Sequence, residues 1–254
     1  SARALVLLGS KLALKNLAKN LNVPHLESQT LKDLNKDSVR FPIILKSAEG
    51  GGGRGMRVVN NALELDEALA LAQKEATATK SGDIFLEPYL NKFKHLEFQV
   101  LVSISGDITV LVERDCTVQR KFQKIIEETP CPVLDESLRA QMQDYCYKIA
   151  EYLKEPSIFT FEFLVVEDRC YLSEVNPRLQ VEHTITEEIY KIDLVELQTL
   201  IALKESVKLP DSNTYSGSAI QLRLYAEHPI SFSPEVGLLT EFRFPIPPSR
   251  QELS

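Results

Sequence analysis

Two glutamates on neighbouring predicted strands carry the strongest chemical signal in this sequence: Glu162 in FTFEFLVV (159–166) and Glu174 in RCYLSEVN (169–176). If the connecting loop is the three residues Glu167-Asp168-Arg169, Val166 pairs with Cys170 and Glu162 faces Glu174 across the sheet. Opposed carboxylates repel and weaken a strand pair, whereas a divalent cation between them reverses that sign. Asn176 shares the face of Glu174 and adds an amide oxygen. An all-oxygen set of this kind suits magnesium carried on nucleotide phosphates. A register shifted by one residue leaves the two glutamates diagonal and solvated, and both registers remain open at the level of sequence.

Directly after this hairpin comes EVNPRLQVEHTITE (174–187), in which Pro177 stops strand pairing and puts Arg178, Gln180 and Glu182 on a turn. An arginine can fork a small carboxylate-like anion such as bicarbonate, and a neighbouring glutamate can take its proton. The structural alternative is a surface Arg178–Glu182 ion pair at helical spacing, worth little; His183 reads as a structural hydrogen-bonder. Upstream, Gly50, Gly51, Gly52, Gly53, Arg54, Gly55 and Met56 follow FPIILK (41–46) and precede RVV (57–59). Backbone N–H groups in such a loop can approach an anion closely, and Lys46 supplies an ammonium beside it. The loop lies between two strands, unlike phosphate loops that open into a helix, so a plain hairpin linker is its other reading. In ERDCTVQRKFQK (113–124), Arg114, Arg120, Lys121 and Lys124 form either a solvated basic strand end or a wall for phosphates or bicarbonate.

The elements that must position these groups follow from period and punctuation. Leucines 5, 8, 12, 17 and 21 predict an amphipathic helix ending before Pro24, and Leu65, Leu69, Ala72 and Ala76 predict another over 62–78. Strands are predicted at 41–46, 57–59 and 84–90, where Pro88 marks an edge or a strand end. EFQVLVSI and DITVLVERD flank Ser105-Gly106-Asp107 as a hairpin. Helices are predicted at 136–154 and 185–204, and a last strand at 219–227. Strand pairs alternating with helices give an α+β fold with antiparallel sheets, with a boundary near residue 91.

Composition bounds the function. A net charge of -7 argues against nucleic acid as partner, because phosphate backbones require a basic footprint. No apolar stretch reaches the roughly 20 residues that span a bilayer. Cys116, Cys131, Cys146 and Cys170 are widely spaced, which predicts free thiols in a reducing compartment. The chain starts with Ser, which fits a start inside a longer protein. His25 and His228 carry no site signal.

ILKSAEGGGGRGM, ERDCTVQRKFQK, FTFEFL, EVNPRLQVEHTITE and RLYAE, in this order, closely resemble the biotin carboxylase family of the ATP-grasp superfamily, over roughly residues 3–245. The resemblance implies two α+β modules clamping ATP: a linking segment over 1–30, a lid module over 31–90, and a large module over 91–254 running into a truncated C-terminal domain. The family's N-terminal α/β domain is missing, so the chain reads as a fragment whose own activity is in question. The implied activity is carboxylation of biotin on a carrier domain, using ATP, bicarbonate and Mg2+ or Mn2+, through carboxyphosphate. Carried onto this chain, Lys11 and Lys46 match phosphate-holding lysines, 50–56 the lid loop, and Glu87 and Leu90 the adenine contacts; His95 and Gln119 match nucleotide-site positions. Glu162, Glu174 and Asn176 match the metal site, and Lys124 an ATP- and bicarbonate-site lysine. Arg178, Gln180, Val181 and Glu182 match the bicarbonate pocket with Glu182 as base, and Arg223 the arginine that stabilises the biotin enolate.

The sequence departs from the family at Phe122, where histidine is common, at Pro88, where lysine is common, and at Gln221 and His228, which replace acidic residues. The implied partners are a biotin carboxyl carrier domain, a carboxyltransferase and further copies of the chain, in the cytoplasm or, alternatively, the mitochondrial matrix. A carbamoyl-phosphate-synthase-like ligase and a degenerate nucleotide-binding or structural module are the alternatives weighed.

Overall fold

Apolar residues alternating at period two build the larger of two antiparallel sheets, as strand geometry requires. The computed structural model describes residues 7–47, 56–78, 84–238 and 240–241. In chain order the elements are α1 (Lys11–Asn20), β1 (Gln29–Thr30), β2 (Ile43–Ser47), β3 (Arg57–Val59), α2 (Ala62–Ala78), β4 (Ile84–Pro88), β5 (Lys94–Val102), β6 (Ile108–Val110), β7 (Arg114–Arg120) and β8 (Gln123–Thr129). They continue with α3 (Glu136–Leu153), β9 (Ser157–Val166), β10 (Arg169–Asn176), α4 (His183–Tyr190), α5 (Leu194–Ala202) and β11 (Ala219–Leu222). Two compact units result, Ser1–Leu222 and Arg223–Ser254.

The smaller sheet has the order β1-β4-β2-β3. Leu65, Ala68, Leu69 and Ala72 of α2 cover it, packing on Ile43, Leu45, Val59, Ile84 and Leu86. Pro88 closes β4 at its end, opposite Ile43, where a missing N–H costs least.

The larger sheet has the order β10-β9-β5-β7-β8-β11, with β6 on β5. Both faces of β5 and β9 are buried, and the two faces differ. Leu96, Phe98, Val100 and Val102 lie opposite Phe163, Phe161, Phe159 and Ser157. Their apolar side chains share a core with Leu14, Leu17 and Ala18 of α1 and with Leu138, Met142, Cys146 and Ile149 of α3. Each fully buried phenylalanine here is worth about 1.5–3 kcal/mol, and Phe98 meets Phe163 edge-on with centroids 5.9 Å apart. The opposite face grades along the strands, from Leu101 beside Ile158, through Gln99 beside Thr160, to Glu97 beside Glu162. Its apolar end packs under Ile189, Tyr190, Leu194 and Ile201 of α4 and α5. Its polar end is the candidate site.

Four sequence expectations need correction. The first helix is not continuous over 5–21: residues 7–9 are helical, then Ser10 adopts an extended conformation and caps α1 by accepting from Ala13 N at 3.3 Å. The helix expected over 185–204 is two helices. Lys191, left-handed at φ 55, closes α4, and Asp193 caps α5 by accepting from Glu196 N at 2.7 Å. Neither cap breaks the apolar periodicity, so the periodicity alone hides the corner. The strand expected over 219–227 ends at Leu222, and in the second unit Glu227 forms an isolated bridge to Pro234. The turn of the β9–β10 hairpin is shorter than expected, two residues in place of three. The four cysteines are free and buried. No helix among the described residues is long and apolar enough to cross a membrane.

Candidate functional site

Strand register alone assembles a row of charge. Arg114 on β7 lies opposite Glu97 on β5, Glu97 opposite Glu162 on β9, and Glu162 opposite Glu174 on β10. The last pairing arises by an unexpected route. Val166 pairs with Arg169, so the turn is the two residues Glu167-Asp168, with Glu167 left-handed at φ 52. That register alone would bring Ser173 opposite Glu162. A bulge between Leu172 and Glu174 takes up the extra residue and returns Glu174 to its partner; such a bulge re-aims a side chain.

Lys124 on β8 offsets part of this negative charge. Lys124 Nζ contacts Glu97 Oε2, donates to Glu182 Oε1 at 2.5 Å and to Gln180 Oε1 at 3.0 Å, and lies 3.8 Å from Glu162 Oε1. Glu162 Oε1 also accepts from Gln180 Nε2 at 2.6 Å and from Asn176 Nδ2 at 3.0 Å. The Asn176 amide oxygen is thereby turned away from Glu162. His95 Nε2 sits 2.9 Å from Glu162 Oε2. Gln119 Nε2 lies 3.1 Å from His95 Nδ1.

Electrostatics divide these carboxyls into two kinds. At Glu97 and Glu162 burial raises the pKa, but Lys124 leads the opposing charges and holds both below the usual carboxylate range. At Glu174 and Glu182 burial wins. Glu162 adds to it at Glu174, Glu97 adds to it at Glu182, and both are held above the usual range. Neighbouring carboxyls with pKa values pushed apart mark sites of acid–base and metal chemistry. His95, Glu97 and Glu162 offer ligand atoms within 4.8 Å of one another, as do Glu97, Cys116 and Glu182.

A second polar cluster ties α1 to the smaller sheet. Glu87 Oε1 accepts from Lys15 Nζ at 2.5 Å and from Ser28 Oγ at 2.9 Å, while Oε2 accepts from Lys46 Nζ at 2.8 Å. Burial raises the Glu87 carboxyl, yet Lys46 and Lys15 overcome it and hold the pKa at about 2. Burial pulls the Lys11 ammonium below the usual lysine range, with Glu174 foremost among the carboxylates opposing it.

Of the residues singled out from sequence, Lys124, Gln180, Glu182, Glu162, Asn176, His95 and Gln119 form this one contact network, with Glu174 in register beside it. Lys46 and Glu87 pair with each other, and Leu90 and Met56 are half-buried. Arg178 is exposed and donates to the Leu179 carbonyl at 3.1 Å, while Glu182 pairs with Lys124. Val181 is exposed. Gly50, Gly51, Gly52, Gly53, Arg54 and Gly55 lie outside the described residues, and Arg223 opens the second unit. Arg114 is fully buried, so it is no part of a basic wall.

Three contributors escaped the sequence reading. Glu97 and Gln99 alternate with apolar residues in LEFQVLV, and only the register of β5 on β9 gives Glu97 its partners. The role of Arg114 was obscured by the basic residues near it in sequence. Lys15 falls on the buried face of α1 with Leu14 and Ala18, which helical period could have flagged.

Residues 11–210 match the family described as carbamoyl-phosphate synthase L chain, ATP binding domain. The biotin carboxylase of Allochromatium vinosum is 41% identical over 209 residues, covering 82% of this chain and 46% of that protein. The biotin carboxylase of Halalkalibacterium halodurans is 37% identical over 248 residues, covering 94% and 55%. The biotin carboxylase domain of Hydrogenobacter thermophilus 2-oxoglutarate carboxylase, solved as a dimer with MgADP, ADP and bicarbonate, superposes with a TM-score of 0.85 at 35% identity, covering 91% of this chain and 54% of that one. The chain thus spans about half the length of these relatives. It belongs to the family of the carbamoyl-phosphate synthase L chain, ATP binding domain, and it is similar to proteins named biotin carboxylase and pyruvate carboxylase.

Proposed function

We propose that this chain is the nucleotide-binding core of a biotin carboxylase, which uses ATP and bicarbonate to carboxylate biotin on a carrier domain within a biotin-dependent carboxylase. The observation that carries the reading is the opposed pair Glu162–Glu174 beside the Lys124–Glu182 couple. The pair fits a divalent cation: burial and the neighbouring Glu162 raise the Glu174 pKa, a repulsion that a cation would relieve, and the carboxylate donors are oxygens. Glu162 and Glu174 would hold magnesium, joined by Asn176 once its amide turns the oxygen toward Glu162 in place of the nitrogen, and the ion when bound supplies charge neutralisation for the nucleotide phosphates.

The chain's own residues then divide the work. Lys11 and Lys46 hold phosphates, together with the loop Gly50 to Met56 and a lid module over 31–90 that closes on the large module. Glu87 and Leu90 hold the adenine; His95 and Gln119 complete the nucleotide site. Arg178, Gln180 and Val181 orient bicarbonate. Glu182, buried and with a raised pKa, takes the bicarbonate proton while Lys124 holds its carboxylate and the anion. The deprotonated bicarbonate oxygen bonds to the γ-phosphorus of ATP as ADP leaves; the carboxyphosphate so formed breaks into carbon dioxide and phosphate, the phosphate takes the biotin ureido N–H proton, and the nitrogen bonds to the carbon dioxide while Arg223 stabilises the ureido oxygen as its enolate. The carrier domain and a carboxyltransferase are the partners, with further copies of the chain in a homo-oligomer.

The experiment is carboxylation of free biotin by the full-length protein with ATP, magnesium and bicarbonate. Carboxybiotin supports the reading. ATP cleavage with bicarbonate but no carboxybiotin would move the chain to the carbamoyl-phosphate-synthase-like alternative.

A further inference from the structure

Arg114 sits among residues of a basic segment yet has no exposed surface, and neither have three of its neighbours, Glu97, Gln99 and Thr186. Its Nε donates to Glu97 Oε1 at 2.6 Å, leaving Glu97 Oε2 to hold Lys124. Its Nη1 donates to Thr186 Oγ1 at 2.9 Å and to Gln99 Oε1 at 3.1 Å. Gln99 Nε2 in turn donates to the Phe159 carbonyl at 2.7 Å, so the guanidinium is referenced to β5 and, through Gln99, to β9. Thr186 lies four residues after Glu182, one turn along α4 and on the same face.

We infer that Arg114 is a positioning residue for the Lys124–Glu182 couple. One rigid guanidinium fixes the sheet carboxylate that holds Lys124 and the helix that carries Glu182. The planar fork sets the angle between its Nε and Nη1 donors, which sets the separation of the two carboxylates gripping the lysine. A lysine at 114 carries its donors on a single nitrogen and cannot span both partners. Arg114 touches no substrate, since it is walled off by the residues it binds. The inference rests on the proposed activity only for its kinetic readout.

The test uses the full-length protein with Thr186→Val, which removes one acceptor and leaves Arg114 its bonds to Glu97 and Gln99, and Thr186→Ser, which restores the hydroxyl. Thr186→Val is expected to lower kcat for bicarbonate-dependent ATP cleavage by roughly 10–100-fold and to raise KM for bicarbonate. Mg-ATP affinity should stay within about twofold of wild type, and Thr186→Ser should recover most of the loss. A wild-type kcat in Thr186→Val overturns the inference. So does a parallel loss of nucleotide affinity, kcat and melting temperature, which marks a purely structural role. A crystal structure of Thr186→Val supplies the readout that needs no turnover: the Lys124–Glu182 contact is expected to open beyond about 4 Å, past ion-pair range, and a contact unchanged at 2.5 Å refutes the role. If wild type itself shows no bicarbonate-dependent ATP cleavage, the proposed activity fails and this structure alone decides the positioning role.

Discussion

Lys124 Nζ contacts Glu182 Oε1 at 2.5 Å, joining a strand residue to the start of a helix 58 positions further along the chain. The same ammonium contacts Glu97, whose other oxygen is held by Arg114. Two buried carboxylates thus face the buried Arg114 and the half-buried Lys124, and Glu182 is the carboxyl left with the raised pKa. Removing one member exposes the others to uncompensated burial, which is costly.

Lys124→Met tests that balance. Burial and Glu97 already raise the Glu182 pKa, and Lys124 is the first opposing influence. Its loss should move the alkaline-rising limb of the pH–rate profile to higher pH. Turnover with bicarbonate should fall by about 10²–10⁴-fold. Measurement is by steady-state ATP cleavage from mildly acidic to mildly alkaline pH, and a limb that stays in place argues that Glu182 is not the titrating base.

Glu174→Gln should have opposite effects with and without metal. The folded pKa of Glu174 lies above its unfolded value, so its contribution to stability falls as pH rises through the folded pKa. Without metal, at about pH 8, the variant should therefore be more stable by about 0.5–1 kcal/mol. With magnesium, calorimetry should show ATP affinity at least tenfold weaker, about 1.4 kcal/mol. Metal-free destabilisation would mean that the two glutamates do not repel.

Glu87 predicts an acid transition. Its pKa is held at about 2 in the fold, so the stability it lends is present above the unfolded value, about 4.3, and disappears as pH falls through the folded value. Burial lowers the Lys15 pKa, which runs against this gain at neutral pH, so the net contribution is smaller than Glu87 alone suggests. Glu87→Gln should cost about 1–3 kcal/mol at neutral pH, and its deficit relative to wild type should shrink as pH falls from about 5 towards about 2. Denaturant titrations at neutral pH and at about pH 3 that give the same deficit would contradict this.

Phe122 occupies a strained turn. Lys121 and Phe122 link β7 to β8 with φ values of 51 and 64, the left-handed pair of a type I′ hairpin, which a bulky side chain disfavours. Phe122→Asn should raise stability by about 0.5–1 kcal/mol in a thermal melt. A loss of stability would show that packing of the half-buried ring outweighs the backbone.

Much of the site was legible because strand period fixes faces. Glu162 separates from Phe161 and Phe163, and Pro177 ends the pairing, on sequence alone. A three-residue turn predicts the Glu162–Glu174 match, and the two-residue turn and bulge at Ser173 in the structure have the same net effect on register. Glu97 and Arg114 were out of reach because they depend on which strands become neighbours, a long-range choice that no local pattern encodes. The split at Lys191 was hidden because a left-handed cap and an Asp193 N-cap leave apolar spacing undisturbed.

We propose that Glu182 is the base for a bicarbonate held beside magnesium-bound ATP. The most direct measurement of this role is bicarbonate-dependent ATP hydrolysis by the full-length protein carrying Glu182→Gln, at saturating Mg-ATP. The expected result is loss of that hydrolysis with nucleotide binding kept within about twofold. Turnover equal to wild type would contradict it.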